Sequence, residues 1–374
     1  MADLRAAGNK HSRRRPMAFS PRRTVIIATV AALVCTAGAW AQPSGAAQTT
    51  LEKIEASGKA VLGVRESSPP MAYALGANEK YLVSRHRSDV VGCAQPSERS
   101  ARRIACPYRA VLASDATPRC ASMASADRQM IGDATRGYHV ELCERVLRQI
   151  APAAKLEYMA VTAQNTLPLV RNGTLDIGCG PTTNNQARQQ QVAFAVTTYV
   201  SEVRMAVRAD SGIASVDQLG GRTVAASTGT TAVQMLRKLE RTLGAPITVL
   251  LGKDHAESFL LLESGRVDAF VLDDNLLAGM IASAKNPGHF RIVGQALGSE
   301  PIALLMRKDD PAFKAAVDGV LIRLMQSGEL EKIYAKWFVA PIPPKNLSLN
   351  LPMGSTLRAS IASPNDKPLE TFLK

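Results

Sequence analysis

No Cys-x-x-Cys pair occurs among the six cysteines, and the five histidines are scattered, so no stretch carries the ligand spacing of a zinc site. The lysine of a Gly-x-x-x-x-Gly-Lys-Ser/Thr loop is missing, which argues against nucleotide binding. A Gly-x-Ser-x-Gly elbow is missing too, and no Ser/His/Asp constellation replaces it. Beyond residue 41 no run approaches the ~20 uninterrupted apolar residues of a membrane span. The net charge of +13 invites a nucleic-acid reading, but its distribution excludes one: +6 falls in residues 1–41 and +4 in 82–136, leaving +3 for the rest. No basic stripe remains to track a phosphate backbone.

The N-terminus resembles an export signal in its physical pattern. Basic residues from Arg5 to Arg23 precede the apolar run Val25–Val34, and small residues end at Ala39-Trp40-Ala41, so cleavage is expected after Ala41. A start at Met17 gives a more ordinary leader. The mature chain is expected to be soluble and periplasmic. Between Tyr81 and Gly137 there are nine arginines, no lysine, and no sustained period of 2 or 3.6. A structureless stretch of that length inside a compact domain is improbable, so 82–136 is expected to be a poorly ordered insertion. Cys143 and Cys179 are the cysteines of the body; in an exported protein they could pair or remain two half-buried thiols.

The remaining sequence alternates strand-like and helix-like segments. A helix beginning at Leu51 and ended by Gly58 precedes a strand over Ala60–Val64. Helical spacing of Val140, Cys143, Val146, Leu147 and Ile150 marks a helix, followed by a strand at Leu156–Val161, a short helix at Leu167–Val170, and a strand at Leu175–Gly178. The plan repeats after residue 201, with strands at Arg222–Ala226, Ile247–Leu251 and Val267–Leu272 and helices between them. Val192–Val207 and Gln295–Met306 are extended enough to cross between two units. The expectation is an α/β protein of two lobes with open mixed sheets joined by a two-strand hinge. Lobe 1 comprises 48–200 plus 300–350, lobe 2 comprises 201–299, and 351–374 forms a tail.

Binding groups gather where strands end. Gly180-Pro-Thr-Thr183, with Thr182 and Thr183, and Thr228-Gly-Thr-Thr231, with Thr228, Thr230 and Thr231, look like mirrored turns. Each could cradle a carboxylate or simply cap a helix. Arg188 could clamp a carboxylate or lie solvated among glutamines. Asp273 could hold an ammonium or cap the following helix. His255 is a possible donor or an ordinary loop histidine. On composition alone Arg65 reads as a surface residue. No catalytic constellation, metal set or cofactor motif emerges, so the task reads as holding a molecule rather than converting it.

The stretches "VLGVRESSPPMAY", "GYHVELCERV", "NGTLDIGCGPTTNNQAR", "STGTT", "KDH" and "LESGRVDAFVLDD", in this order, resemble the periplasmic solute-binding proteins of polar amino-acid ABC importers, most nearly the glutamate/aspartate-binding branch. That resemblance implies a periplasmic-binding-protein-like fold of the two-lobed type II kind. It further implies capture of a free amino acid and docking on inner-membrane permease subunits, with the chain working as a monomer. By position it implies that Arg188 and Thr183 hold the α-carboxylate and Asp273 the α-ammonium, with Arg65, Thr228, Thr231 and His255 at the side-chain end. The branch shows Ser-Gln-Asn-Arg before its Leu/Ile-Pro-Leu helix, whereas this chain has Ala163-Gln-Asn-Thr166, so Ala163 and Thr166 are expected to alter specificity. The alternative on the same fold is a periplasmic cyclohexadienyl/arogenate-type dehydratase.

Overall fold

The computed structural model describes residues 48–75 and 135–372. The expected leader, 1–41, and residues 82–134 of the expected insertion lie outside the described residues. The insertion's last two residues, Thr135 and Arg136, form a strand. Among the described residues no helix is long and apolar enough to cross a membrane.

Helix α1 (Thr50–Ser57) starts at a capping box between Thr49 and Glu52 and stops at Gly58, whose φ of +66° suits glycine. Strand β1 (Lys59–Arg65) follows, then the small hairpin of β2 (Ser67–Ser68) and β3 (Ala72–Ala74), with β4 (Thr135–Arg136) paired onto β3. Helix α2 (Tyr138–Ile150), β5 (Lys155–Val161), α3 (Thr166–Arg171) and β6 (Ile177–Thr183) complete the next run. Short α4 (Gln186–Gln189) and β7 (Val192–Phe194) lead into the long β8 (Tyr199–Arg208).

The later elements alternate as the sequence suggests: β9 (Thr223–Ser227), α5 (Ala232–Leu243), β10 (Thr248–Gly252), α6 (His255–Glu263), β11 (Ala269–Asp273) and α7 (Asp274–Ser283). Strand β12 (Phe290–Arg307) then returns, followed by α8 (Pro311–Gln326), α9 (Glu329–Phe338), α10 (Ser355–Ala362) and α11 (Leu369–Phe372).

Apart from the separate β2-β3-β4 sheet, the strands form one hydrogen-bonded path, β10-β9-β11-β8-β12-β6-β1-β5, with β7 also on β12. Pairing is parallel within the β10-β9-β11 and β6-β1-β5 sets and antiparallel through β8 and β12. The two long strands therefore join both sets, and their ladder shifts register between Val293 and Gly298. This is a mixed α/β architecture of the expected class, although its strand sets are hydrogen-bonded into a single path.

Alternation along the strands sends side chains to opposite faces. Leu62, Ala206, Ala225 and Phe270 belong to one cluster that continues across both strand sets. On the opposite face the core is split: Met205, Val207, Val224 and Val271 form one cluster, Met159, Leu175, Phe194 and Leu305 another. Cys143 of α2 and Cys179 of β6 are fully buried in the continuous cluster and are bridged, with Cα atoms 6.1 Å apart. The pairing left open by spacing is settled by the packing of α2 on β6.

Candidate functional site

The first wall of the site is built by β1 and β6. Arg65 ends β1 and is buried, 5% exposed. Room for it comes from Gly180 on β6, where a Cβ would stand 2.8 Å from Arg65 Cγ. Arg65 Nε has no hydrogen-bond partner among the described residues. Burial, and then the neighbouring Arg188 guanidinium, lowers its pKa to about 9, while Asp273 opposes the shift. The polar Glu66-Ser67-Ser68 that follow this arginine give no hint of its burial in sequence.

Gly180–Thr183, expected as a turn after the strand, is the end of β6 itself: Thr182 and Thr183 pair with Ala303 and Ile302 of β12. The register of β6 is pinned from behind by buried His139, whose Nδ1 lies 3.0 Å from Gly180 O and whose Nε2 lies 2.9 Å from Thr198 Oγ1. Burial lowers the His139 pKa to about 4. Thr182 Oγ1 is buried with no hydrogen-bond partner among the described residues.

Arg188 sits on α4, and its guanidinium reaches back to Thr183 O through Nη1 at 2.9 Å and across to Gly229 O through Nη2 at 3.1 Å. Asn185 caps α4 by accepting from Arg188 N. The residues expected as a tail fix this helix: Glu370 Oε2 accepts from Gln186 N at 3.0 Å, Asn184 Nδ2 donates to Asp366 O at 2.9 Å, and Leu369 N donates to Asn184 O at 2.9 Å. Sequence reasoning missed this brace because nothing local links residues so far apart.

The second wall comes from β9, α6 and β11. After β9, Thr228 donates from both N and Oγ1 to Gly252 O, and Thr230 Oγ1 donates to Ser227 O. His255, expected in a loop, is the first residue of α6, which Asp254 caps. Its Nδ1 lies 2.8 Å from Ser227 Oγ, and burial together with the Arg65 charge lowers its pKa to about 3, so the imidazole is neutral. Asp273 occupies the cap position of α7 but makes no cap bond; Asp274 Oδ1 takes Asn275 N instead. Asp273 Oδ1 accepts from Ser201 Oγ at 2.6 Å. Burial, and then Glu300, raises the Asp273 pKa to about 7, against the pull of Ser201 and Arg188.

Glu300, which the sequence does not single out, stands behind both walls. It lies on β12 opposite Ser201, is 0% exposed, and accepts at Oε2 from Thr183 Oγ1 at 2.6 Å and from Thr231 Oγ1 at 3.0 Å. Its Oε1 is buried with no hydrogen-bond partner among the described residues, and burial raises its pKa. The one signal available in sequence is a glutamate immediately before the apolar run Pro301–Met306.

These walls enclose a cavity of about 20 Å³, lined by Arg65, Ala163, Thr182, Thr183, Arg188, Thr230, Thr231, His255 and Asp273, with Pro181 and Gly229. Two of the residues singled out in sequence lie elsewhere: Thr228 serves Gly252, and buried Thr166 donates its hydroxyl to Thr162 O at 2.6 Å. Two guanidinium groups, a carboxylate and a neutral imidazole thus face one small space. The arrangement suits a molecule bearing a fixed negative and a fixed positive charge. The cavity volume is that of roughly one or two water molecules, so any larger guest enters only as the walls part.

The profile of the bacterial extracellular solute-binding proteins, family 3, matches residues 122–340. This chain belongs to that family. Among its relatives, an L-glutamate/L-aspartate-binding protein of Pseudomonas aeruginosa is 41% identical over 239 residues, 63% of this chain and 79% of that protein. A glutamate/aspartate import solute-binding protein of Escherichia coli K12 is 38% identical over 244 residues, 65% of this chain and 81% of that protein. The solved solute receptor for L-cysteine of Neisseria gonorrhoeae has the same fold, with a TM-score of 0.56 at 21% identity, covering 78% of this chain and 93% of that one.

Proposed function

We propose that this chain is the extracytoplasmic solute-binding component of an amino-acid ABC importer. It holds one free polar amino acid between its two strand sets and delivers it, as a monomer, to inner-membrane permease subunits. Residues 1–41 act as the export signal. Residues 48–200 plus 300–350 and residues 201–299 act as lobes that part and close by bending at β8 and β12. Arg188 takes the α-carboxylate, Asp273 the α-ammonium, and Arg65 with His255 the side-chain end. The observation that carries this reading is the meeting of Arg188, from one strand set, and Asp273, from the other, on one cavity.

The side-chain end retains a buried Arg65 with an unspent Nε, which supports a ligand with a carboxylate or amide. Ala163 offers no hydrogen bond, and the Thr166 hydroxyl is committed to Thr162 O. A hydrogen bond to a charged group contributes about 1.5–3 kcal/mol. Each missing contact therefore weakens glutamate by roughly 10- to 150-fold relative to a site that has it, which favours a neutral polar amino acid as the tighter guest.

Thermal melting of the mature chain against a panel of free amino acids and dicarboxylates tests the reading. A ligand at 100 times its dissociation constant stabilises by about 2.7 kcal/mol, so a cognate amino acid gives an unmistakable rise. Absence of any rise across the panel overturns the proposal, and so does turnover of a prephenate-like compound, which the dehydratase alternative requires.

A further inference from the structure

Thr183 and Thr231 face the cavity from different strand sets, yet neither has a proton left for it. A threonine hydroxyl carries one proton and two lone pairs. Both protons are donated to the same atom, Glu300 Oε2, at 2.6 and 3.0 Å. Ser201, the register partner of Glu300, donates its own proton to Asp273 Oδ1 at 2.6 Å. Three hydroxyl protons are thus committed to two carboxylates. What Thr183 and Thr231 can offer a guest is oxygen lone pairs.

We propose that Glu300 is a positioning residue that fixes the hydrogen-bond polarity of Thr183 and Thr231, turning both into acceptors for the N–H groups of a cationic ligand nitrogen beside Asp273. The inference rests on the amino-acid reading above and deepens it: the α-ammonium is caged by Asp273 and two threonine oxygens, so Thr183 is moved from the carboxylate end, and Thr231 from the side-chain end, to the ammonium end. The carboxylate end keeps the Arg188 guanidinium. An ammonium is favoured over a neutral donor because two carboxylates, Asp273 and Glu300, stand at this end of the site. Both threonine bonds fall on Oε2, so the polarity holds whether or not Oε1 carries a proton. Any side chain with an acceptor at that place preserves it, and an apolar one of the same shape abolishes it.

The test compares L-glutamate and L-glutamine with glutarate and glutaramate, which lack the ammonium, in the mature chain. Glu300→Met fills the volume without an acceptor; because removing one member of a buried charged set lowers stability, its melting without ligand is measured first, and affinities are compared at a temperature where the variant is folded. It is expected to weaken the amino acids about 10- to 150-fold, the range of a hydrogen bond to a charged group, and to leave the desamino compounds within about twofold. Glu300→Gln, which keeps an acceptor oxygen, is expected to retain the wild-type ratio of amino acid to desamino compound. Thr183→Val with Thr231→Val is expected to reproduce the Glu300→Met pattern by removing the acceptors themselves. An equal loss for both ligand classes in Glu300→Met points to a structural role and overturns the proposal. Unchanged binding overturns it, as does a Glu300→Gln ratio as poor as that of Glu300→Met. If wild type binds none of the four ligands or any other amino acid, the amino-acid reading itself fails, and this inference with it.

Discussion

Placing an alanine at Gly229 separates closure of the cavity from stability of the fold. Gly229 follows β9, yet a Cβ there would lie 2.8 Å from Gln164 Cα and N and 2.9 Å from Ala163 C, backbone atoms of the opposite wall. Ordinary contacts begin near 3.4 Å, so the walls would have to part by about 0.6 Å. That displacement stretches the 3.1 Å bond from Arg188 Nη2 to Gly229 O beyond hydrogen-bonding range. Loss of one charge-assisted bond costs about 1.5–3 kcal/mol, which raises the dissociation constant roughly 10- to 150-fold. The φ of +83° at Gly229 adds a left-handed strain of about 1–2 kcal/mol for any residue with a Cβ. Gly212 provides the control, since its φ is +71° and nothing lies within 4 Å of its Cβ position. Calorimetric titration should therefore show Gly229→Ala binding far more weakly than Gly212→Ala, while both melt slightly below wild type without ligand. Equal affinity in the two variants refutes the contact between the walls as a determinant of binding.

Reduction of Cys143–Cys179 opens a loop with a sequence separation of 36 residues, which on chain-entropy grounds costs about 4 kcal/mol of stability; Cys143→Ser with Cys179→Ser should lower the denaturant midpoint accordingly. Removing residues 364–374 deletes the Glu370 cap on Gln186 N and the contacts to Asn184. A cap contributes about 1 kcal/mol, so the loosened Arg188 helix should weaken ligand binding about fivefold or more in titration.

Asp273 gives a pH signature. Its folded pKa of about 7 stands above the ordinary carboxyl value of 3.8 because of burial and then Glu300, so the native state holds a proton that the unfolded chain releases. Its contribution to stability is present below pH 4 and is lost as pH rises through about 7. Ammonium binding needs the carboxylate, so affinity should rise from pH 5 to 8 with proton release. Buffer-dependent calorimetry reads this directly, and Asp273→Asn should abolish it.

Much of the fold was legible because local rules and tertiary packing agree. The strands read at Arg222–Ala226, Ile247–Leu251 and Val267–Leu272 fall close to β9, β10 and β11. The disagreements are tertiary. Gly180–Thr183 has the composition of a turn, yet β12 supplies Ala303 and Ile302 as pairing partners and keeps it extended. Asp273 resembles a helix cap, but Asp274 takes that work and frees it for the cavity. Thr228 reads like its neighbours Thr230 and Thr231 and is consumed by Gly252. The brace from Asp366, Leu369 and Glu370 onto α4, and the commitment of two threonine protons to Glu300, depend on residues 69 to 185 positions apart. No window of sequence contains such a relation.

The central claim is that opposite charges from the two strand sets close on one zwitterion, and titrating the amino acid that most raises the melting temperature into wild type, Arg188→Met and Asp273→Asn tests it most directly. Wild type should give a saturable heat at a ratio of one, and each variant should lose at least about 100-fold in affinity, the scale of breaking a buried charge pair. Wild-type affinity retained in either variant would contradict the claim.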